Sequence, residues 1–380
     1  MRMFDDFTLP GFWQAPFAMF ERSFASGDRL QSSPDGGLAI LGYTALRRFG
    51  MHPAIDGTPM ADVSDGPFAT GHDILRHGLF TQVGEDHRRL RRAVLTGLNH
   101  AAVKHFVPDA RSVVGRHFRA AKDGPVDLFG DLCLPIAAEC WASFAGYGNA
   151  QAQRLSEDVE VFSRHLSFDP DPSQAVNADA AARSMLLRTA AAIDNQAGCP
   201  AARIVQAVGS CRGTPLVASL LFDAIDTAAA GLAGMLAVLL EEENDLSALA
   251  DCSYRELAIE EALRLATPTP FTVRQAREPI TIDDCPVPEN ALIWMWWSAG
   301  NRDPDAFPEP QCYRPGRQSR GLPFGIGPHG CVGHGWTKQL AHLMVDAAFC
   351  QTLQLRATAD DWRWVIGGAR RPQDLAVIMR

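Results

Sequence analysis

From Leu216 to Leu240 the chain is apolar almost without interruption. A run of that length either crosses a bilayer or fills the centre of a large soluble core. Two carboxylates, Asp223 and Asp226, sit inside it, and Glu241, Glu242 and Glu243 follow at once. Two acids in a lone spanning helix would be costly, so the run reads as a buried core helix. A chain of 380 residues is long enough to surround it, and 47% hydrophobic with 21% charged residues is ordinary for a soluble globular protein. The opening Met-Arg-Met-Phe-Asp-Asp, with Pro10 and Pro16 behind it, reads as neither signal peptide nor membrane anchor.

Helical patterning continues on both sides of this run. Alanine- and leucine-rich stretches with arginine and glutamate predict helices over about 84–120, 150–165, 178–196, 216–243, 254–265 and 335–350. Extended pieces are few: Val273 to Ala276, Ile280 to Ile282, Leu292 to Trp297 and Leu375 to Met379. Proline and glycine cluster at 266–270, 286–288, 304–316 and 321–335, which marks ordered loops. The expected class is mostly α with small β-sheets. A net charge of −9 argues against general nucleic-acid binding. Nine cysteines without framework spacing point to a reducing, cytoplasmic setting.

The densest chemical signal is Phe324-Gly325-Ile326-Gly327-Pro328-His329-Gly330-Cys331-Val332-Gly333. It sets one cysteine in a glycine-lined loop just ahead of a helix. Glycines let backbone N–H groups turn toward the sulfur, and the helix N-terminus favours a negative thiolate there. Such a setting suits a thiolate bonded to haem iron. Zinc shared with Cys312, His329 and His334 is the weaker alternative, because no short-spaced Cys-x-x-Cys pair exists. A purely structural cysteine would leave the surrounding pattern unexplained.

The run resembles, at every fixed position, the Phe-Gly-x-Gly-x-His-x-Cys-x-Gly signature of the cytochrome P450 family. The resemblance implies a P450-like fold over 1–380 as one large domain, haem b as cofactor, and Cys331 as its axial iron ligand. Phe324, Gly325, His329 and Gly333 are implied to line the haem. Further elements fall in the family's order. Glu261-Ala262-Leu263-Arg264 resembles its Glu-x-x-Arg motif, in which residues three apart share a helix face. The segment from Phe307 to Arg317 resembles its Phe-Pro-Asp-Pro-x-x-Phe-x-x-x-Arg stretch, with Tyr313 in place of phenylalanine. By resemblance, Glu261, Arg264 and Arg317 form a buried network bracing the cysteine loop. His87 and Arg91 match a His-x-x-x-Arg helix that, with Arg274 and His329, holds the haem propionates. An ordinary basic helix face is the alternative for His87 and Arg91. Arg88, Arg89 and Arg92 remain as a basic cluster, either a solvated face or the docking site of an acidic ferredoxin or flavodoxin served by a reductase.

Asp223-Ala224-Ile225-Asp226-Thr227 stands where the family's oxygen-activating motif is expected. The resemblance implies that Asp226 and Thr227 supply the carboxylate and hydroxyl that deliver protons when dioxygen is cleaved; a helix with two incidental acids is the alternative. Ala224 replaces the usual glycine, and Asp223 replaces a small apolar residue facing the haem. A carboxylate there has to be protonated, paired with an arginine or water, or matched by a substrate amine or N–H group. Remaining pocket walls are expected from 267–272, including Phe271 and Thr272, from the loop around Ile366-Gly367-Gly368, and from 60–80. The Trp294-Met295-Trp296-Trp297 run reads as core packing. The implied activity is an oxygen-dependent monooxygenase oxidising a small organic molecule, with no nucleic acid or membrane as partner. A peroxide-driven peroxygenase, a haem-thiolate isomerase or dehydratase, and a non-catalytic haem sensor are the alternatives.

Overall fold

The structure, a computed structural model, describes residues 17–32, 37–60, 65–166, 171–241, 246–351, 354–358, 362–366 and 368–380. Helices dominate. In chain order they include α1 (Phe17–Ala25), α2 (Tyr43–Phe49), α3 (Ala69–Arg76), α4 (Gly84–Gly97), α5 (His100–Ala120), α6 (Leu134–Phe144) and α7 (Asn149–His165). There follow α8 (Ala175–Asn195), α9 (Pro200–Val208), α10 (Ser210–Glu241), α11 (Cys252–Ala266), α12 (Trp297–Gly300) and α13 (His334–Phe349).

The apolar run forms α10, which packs against α6, α9 and α11 in the middle of the main core. It is long and apolar enough to cross a membrane, but 78% of its most apolar window is buried by the rest of the chain. That burial makes it a core helix. The helix starts earlier than Leu216 and continues through Pro215. Proline forfeits one backbone hydrogen bond there, and tertiary packing offsets the loss. Gly213 lies so close to α9 that a Cβ would sit 2.8 Å from the Val205 Cα.

The stretch 84–120 is two helices rather than one. Asn99 stops the first and caps the second, its side chain accepting from the N–H groups of Ala101 and Ala102. Six helices, α1, α2, α3, α6, α9 and α12, escaped the sequence reading. They are short, none longer than 11 residues, and α6 is apolar on nearly every side, so each offers only a few turns of pattern to read.

Strands form a five-stranded sheet in the order β1 (Leu30–Ser32), β2 (Leu38–Ile40), β8 (Leu292–Met295), β5 (Thr272–Ala276), β3 (Ile55–Asp56). β2 and β8 run parallel and the other pairs antiparallel. Smaller sheets pair β6 (Ile280–Ile282) with β7 (Cys285–Val287), join β4 (Val126–Asp127), β12 (Ala376–Met379) and β9 (Leu355–Ala357), and pair β10 (Arg363–Ile366) with β11 (Arg370–Gln373). The expected strand Leu292 to Trp297 ends at Met295, and Trp297 opens α12. Trp296 and Trp297 are buried, as the core reading required.

Candidate active site

The cysteine loop closes on itself before α13 begins. Cys331 N–H donates to the Phe324 carbonyl at 2.9 Å, and Gly330 N–H to the Gly327 carbonyl at 3.0 Å. Gly325 and Gly327 hold φ of +60° and +79°, in the left-handed region. At Gly327 space matters as well, since a Cβ would lie 2.1 Å from the Gly50 carbonyl oxygen. The loop turns Cys331 toward a cavity of about 530 Å³ that lies between it and α10. Burial and the facing Asp223 push the thiol up to about 11. Gly333 N–H, Arg91 and His334 N–H oppose that shift, so the start of α13 favours the thiolate as the sequence implied.

Every cofactor residue expected from the sequence reaches this cavity: His87, Arg91, Arg274, Phe324, Gly325, His329 and Gly333. Two imidazoles stack at one end, His87 on His329, with centroids 3.9 Å apart and planes at 22°. His329 Nε2 donates to Asp56 Oδ1 at 2.6 Å. Burial pushes Asp56 up, but Gly84 N–H, His329 and Gly57 N–H outweigh it and hold the carboxyl below its ordinary value. Burial brings His87 down to about 4 and, helped by Arg274 and His87, brings His329 down to about 3. Both rings are therefore neutral near pH 7.

The two arginines beside them have no carboxylate within ion-pair distance among the described residues. Arg91 Nη1 donates to the Gly330 carbonyl at 2.8 Å, and Arg274 Nη1 to the Val273 carbonyl at 2.8 Å. Burial lowers Arg274 to about 10, which still leaves it charged. His87 Nε2 is buried without a hydrogen-bond partner. Unmatched buried cations and an orphaned ring nitrogen at one end, with a thiol along one face, suit a flat ligand carrying carboxylates and a metal. Haem meets that description.

The family model described as Cytochrome P450 matches residues 234–355. Cytochrome P450 107B1 of Saccharopolyspora erythraea is 25% identical over 339 residues, 86% of this chain and 82% of its own. Cytochrome P-450 monooxygenase DoxA of Streptomyces sp. (strain C5) is 25% identical over 363 residues, 88% of this chain and 85% of its own. The chain belongs to the cytochrome P450 family. Its fold agrees: the structure of P450BioI in complex with a hexadec-9Z-enoic acid ligated acyl carrier protein superposes at a TM-score of 0.88 with 18% identity, covering 97% of this chain and 100% of that one. This P450 is accordingly a haem-thiolate enzyme of the monooxygenase class, with iron protoporphyrin IX as its cofactor.

The buried network of this P450 forms as the sequence implied. Glu261 takes two hydrogen bonds from Arg264, at 2.8 and 2.7 Å, one from Arg317 Nε at 2.7 Å and one from the Arg314 N–H at 2.9 Å. Arg264 also donates to the carbonyls of Asn301 and Pro310, and Arg317 to those of Pro308 and Cys312. Gly321 packs on Arg264, and Leu322 N–H donates to Asn301 Oδ1 at 2.6 Å. The network thus secures the strand of chain that runs directly into Phe324 and the cysteine loop.

On α10 the residues divide. Asp223, Ala224 and Thr227 line the cavity. Thr227 Oγ1 donates to the Asp223 carbonyl at 2.5 Å. Asp226 turns away from the cavity and lies 3.8 Å from Arg371 Nη1, with Ser163 and Gly368 beside it. Burial raises its carboxyl, while Arg371 and the Ser163 hydroxyl pull it back. Asp223 finds no arginine and no hydrogen-bond donor among the described residues, and burial with the neighbouring Asp226 raises it to about 6.

Phe271 and Thr272 line the cavity, and so do Met60, Leu79 and Phe80 from the expected 60–80 stretch, within which 61–64 lie outside the described residues. Ile366 ends β10, its backbone paired with Arg370, and Gly367 lies outside the described residues. Trp297, read as core, also contributes to the cavity wall and donates Nε1–H to Thr272 Oγ1 at 3.0 Å.

The basic cluster on α4 is not a free positive patch. Glu85 pairs with Arg88 and Arg92, and Asp86 pairs with Arg89 and Arg212. Sequence reasoning missed three further contributors. Asp56 orients His329 from across the fold, Asn301 bridges Thr267 and Leu322 inside the core, and Trp141 stacks on Trp336 at 5.1 Å beside the cysteine loop. Only the i,i+3 pairing of Glu85 with Arg88 and Asp86 with Arg89 carried a sequence signal.

Proposed function

We propose that this P450 uses dioxygen to oxidise a small organic molecule by hydroxylation, epoxidation or oxidative coupling, with electrons supplied by a separate ferredoxin or flavodoxin and its reductase in the cytoplasm. The observation that carries the reading is Cys331 facing, across one cavity, a helix that presents Thr227 to the same space and Asp226 behind it. Cys331 is the axial ligand in this reading, and Arg91, Arg274, His87 and His329 receive the propionates. When bound, haem supplies the one-electron and oxygen chemistry, its thiolate ligand favouring O–O cleavage.

The chain's own residues bind, orient and move protons. Glu261, Arg264 and Arg317 keep the cysteine loop in place. Thr227 Oγ1, tethered to the Asp223 carbonyl, holds its hydroxyl proton at the cavity wall. Asp226 lies between that wall and Arg371, whose side chain is 25% exposed, so a proton on the Asp226 carboxyl has a route from the surface. Its raised affinity for protons suits a relay better than a permanently ionised acid would.

Names of relatives support a biosynthetic role. One is 6-deoxyerythronolide B hydroxylase of Saccharopolyspora erythraea, 34% identical over 142 residues, 36% of this chain and 35% of its own. The test is turnover of the haem-loaded protein with a ferredoxin and reductase, against turnover with hydrogen peroxide alone. Product from the first system and not the second supports the proposal; the reverse overturns it. Cys331→Ser should remove the thiolate signature from the ferrous carbon monoxide spectrum, and its persistence would refute Cys331 as ligand.

A further inference from the structure

We propose that the substrate of this cavity carries a permanent or protonated positive charge, an ammonium or amidinium group on an apolar body, and that the Asp223 carboxylate receives it. The proposal takes from the monooxygenase reading only that this cavity is where substrate binds.

Other carboxylates that face the protein interior are matched. Glu261 takes bonds from Arg264, Arg317 and Arg314 N–H; Asp56 takes bonds from His329, Gly57 N–H and Gly84 N–H; Asp179 takes bonds from Arg183, Thr70 and Gly71 N–H. Asp226 has Arg371. Asp223 alone of these has no such partner among the described residues, although protein surrounds the cavity it opens into. The Asp223 side chain is exposed to the cavity rather than packed in the core, so a ligand that fills this space and shuts out water has to match its carboxylate.

The cavity's own cations do not serve it. Arg91 and Arg274 line the same space, yet each is tied to a backbone carbonyl, and neither forms an ion pair with Asp223 among the described residues. The neighbouring Asp226 is another acid and raises the Asp223 carboxyl further. Wall residues on the same helix include Phe222 and Ala228, and Phe80 lines the same cavity. Such a wall holds a hydrocarbon body, and the polar side chains one helical turn either side of Asp223, Ser219 and Thr227, offer only uncharged hydroxyls. A cationic ligand resolves both features at once, placing its body against the aromatic rings and its charge on Asp223.

The test compares benzyltrimethylammonium with neopentylbenzene, its uncharged carbon isostere, by ligand-detected NMR titration of the haem-loaded protein. The quaternary nitrogen has no lone pair, so it cannot bind iron and any preference reports on charge alone. Wild type should prefer the cation by about tenfold or more. Asp223→Asn should bring the two affinities within about threefold of each other, leaving neopentylbenzene binding unchanged. Asp223→Glu should retain the preference. An intact ferrous carbon monoxide thiolate band in each variant certifies that it is folded and loaded. Equal affinities in wild type, or a preference that survives in Asp223→Asn, would overturn the proposal. Absence of product with the ferredoxin system would count against the monooxygenase reading alone, since the binding comparison does not depend on turnover.

Discussion

Replacing Glu261 by glutamine tests how the cysteine loop is held. The carboxylate is 5% exposed and Arg264 1% exposed, so solvent cannot replace what is lost. Oε1 accepts from Arg264 Nη2, Arg317 Nε and Arg314 N–H, and Oε2 accepts from Arg264 Nε. A glutamine keeps the shape, but its NH₂ group must face at least one of these donors, and two guanidiniums lose their counter-charge. Breaking a buried ion pair from one side costs about 3–5 kcal/mol. That is a large share of a typical stability of about 5–15 kcal/mol. Urea denaturation followed by tryptophan fluorescence should show a midpoint shift of that size, together with weaker haem retention. The exposed pair Arg154–Glu157 serves as control, and Glu157→Gln should leave the midpoint unchanged. A Glu261→Gln variant within about 1 kcal/mol of wild type would refute the bracing role. Substituting methionine for both Glu261 and Arg264 should not restore stability, because the carbonyls of Asn301, Pro310 and Cys312 would then lose a donor. The pH dependence follows from the sign of the shift. Hydrogen bonds and charge from Arg264, followed by Arg317 and Arg314, outweigh burial and lower the Glu261 pKa from 4.5. Its contribution is complete above that value and drains away as pH falls through the lower folded one.

Two glycines of the cysteine loop, Gly325 and Gly327, should respond differently to alanine. Gly327→Ala drives a Cβ to 2.1 Å from the Gly50 carbonyl oxygen and should abolish the thiolate signature. Gly325→Ala meets nothing closer than Trp297 at 3.4 Å and should cost only the left-handed conformation, about 1–2 kcal/mol by urea denaturation. Asp226→Asn removes the titrating group of the proposed relay, so product formed with the ferredoxin system should fall by about 100-fold or more. Affinity for the uncharged probe neopentylbenzene should be unchanged in the same titration, because Asp226 does not line the cavity. A variant with wild-type turnover would remove Asp226 from the relay.

Much of this site was legible because its chemistry is local in the chain. The cysteine loop needs left-handed backbone at Gly325 and Gly327 and a helix start after Gly333, and all three requirements fall within a dozen residues. The Glu261–Arg264 pair follows from helical spacing alone. The charge balance of Glu85 and Asp86 against Arg88 and Arg89 obeys the same rule and was open to the same reading.

By itself, then, the sequence determined the helical class, the buried central helix, the glycine-lined cysteine loop and the Glu261–Arg264 pair, since each depends on residues close together in the chain. Only the tertiary structure decided what stands across from them. Asp56 meets His329 across 273 positions of chain. Asp226 and Asp223 occupy one helix, yet the first turns to Arg371 and the second opens unpartnered into the cavity. Which way a side chain faces on a helix buried all round depends on the neighbours that enclose it, and those neighbours come from distant segments.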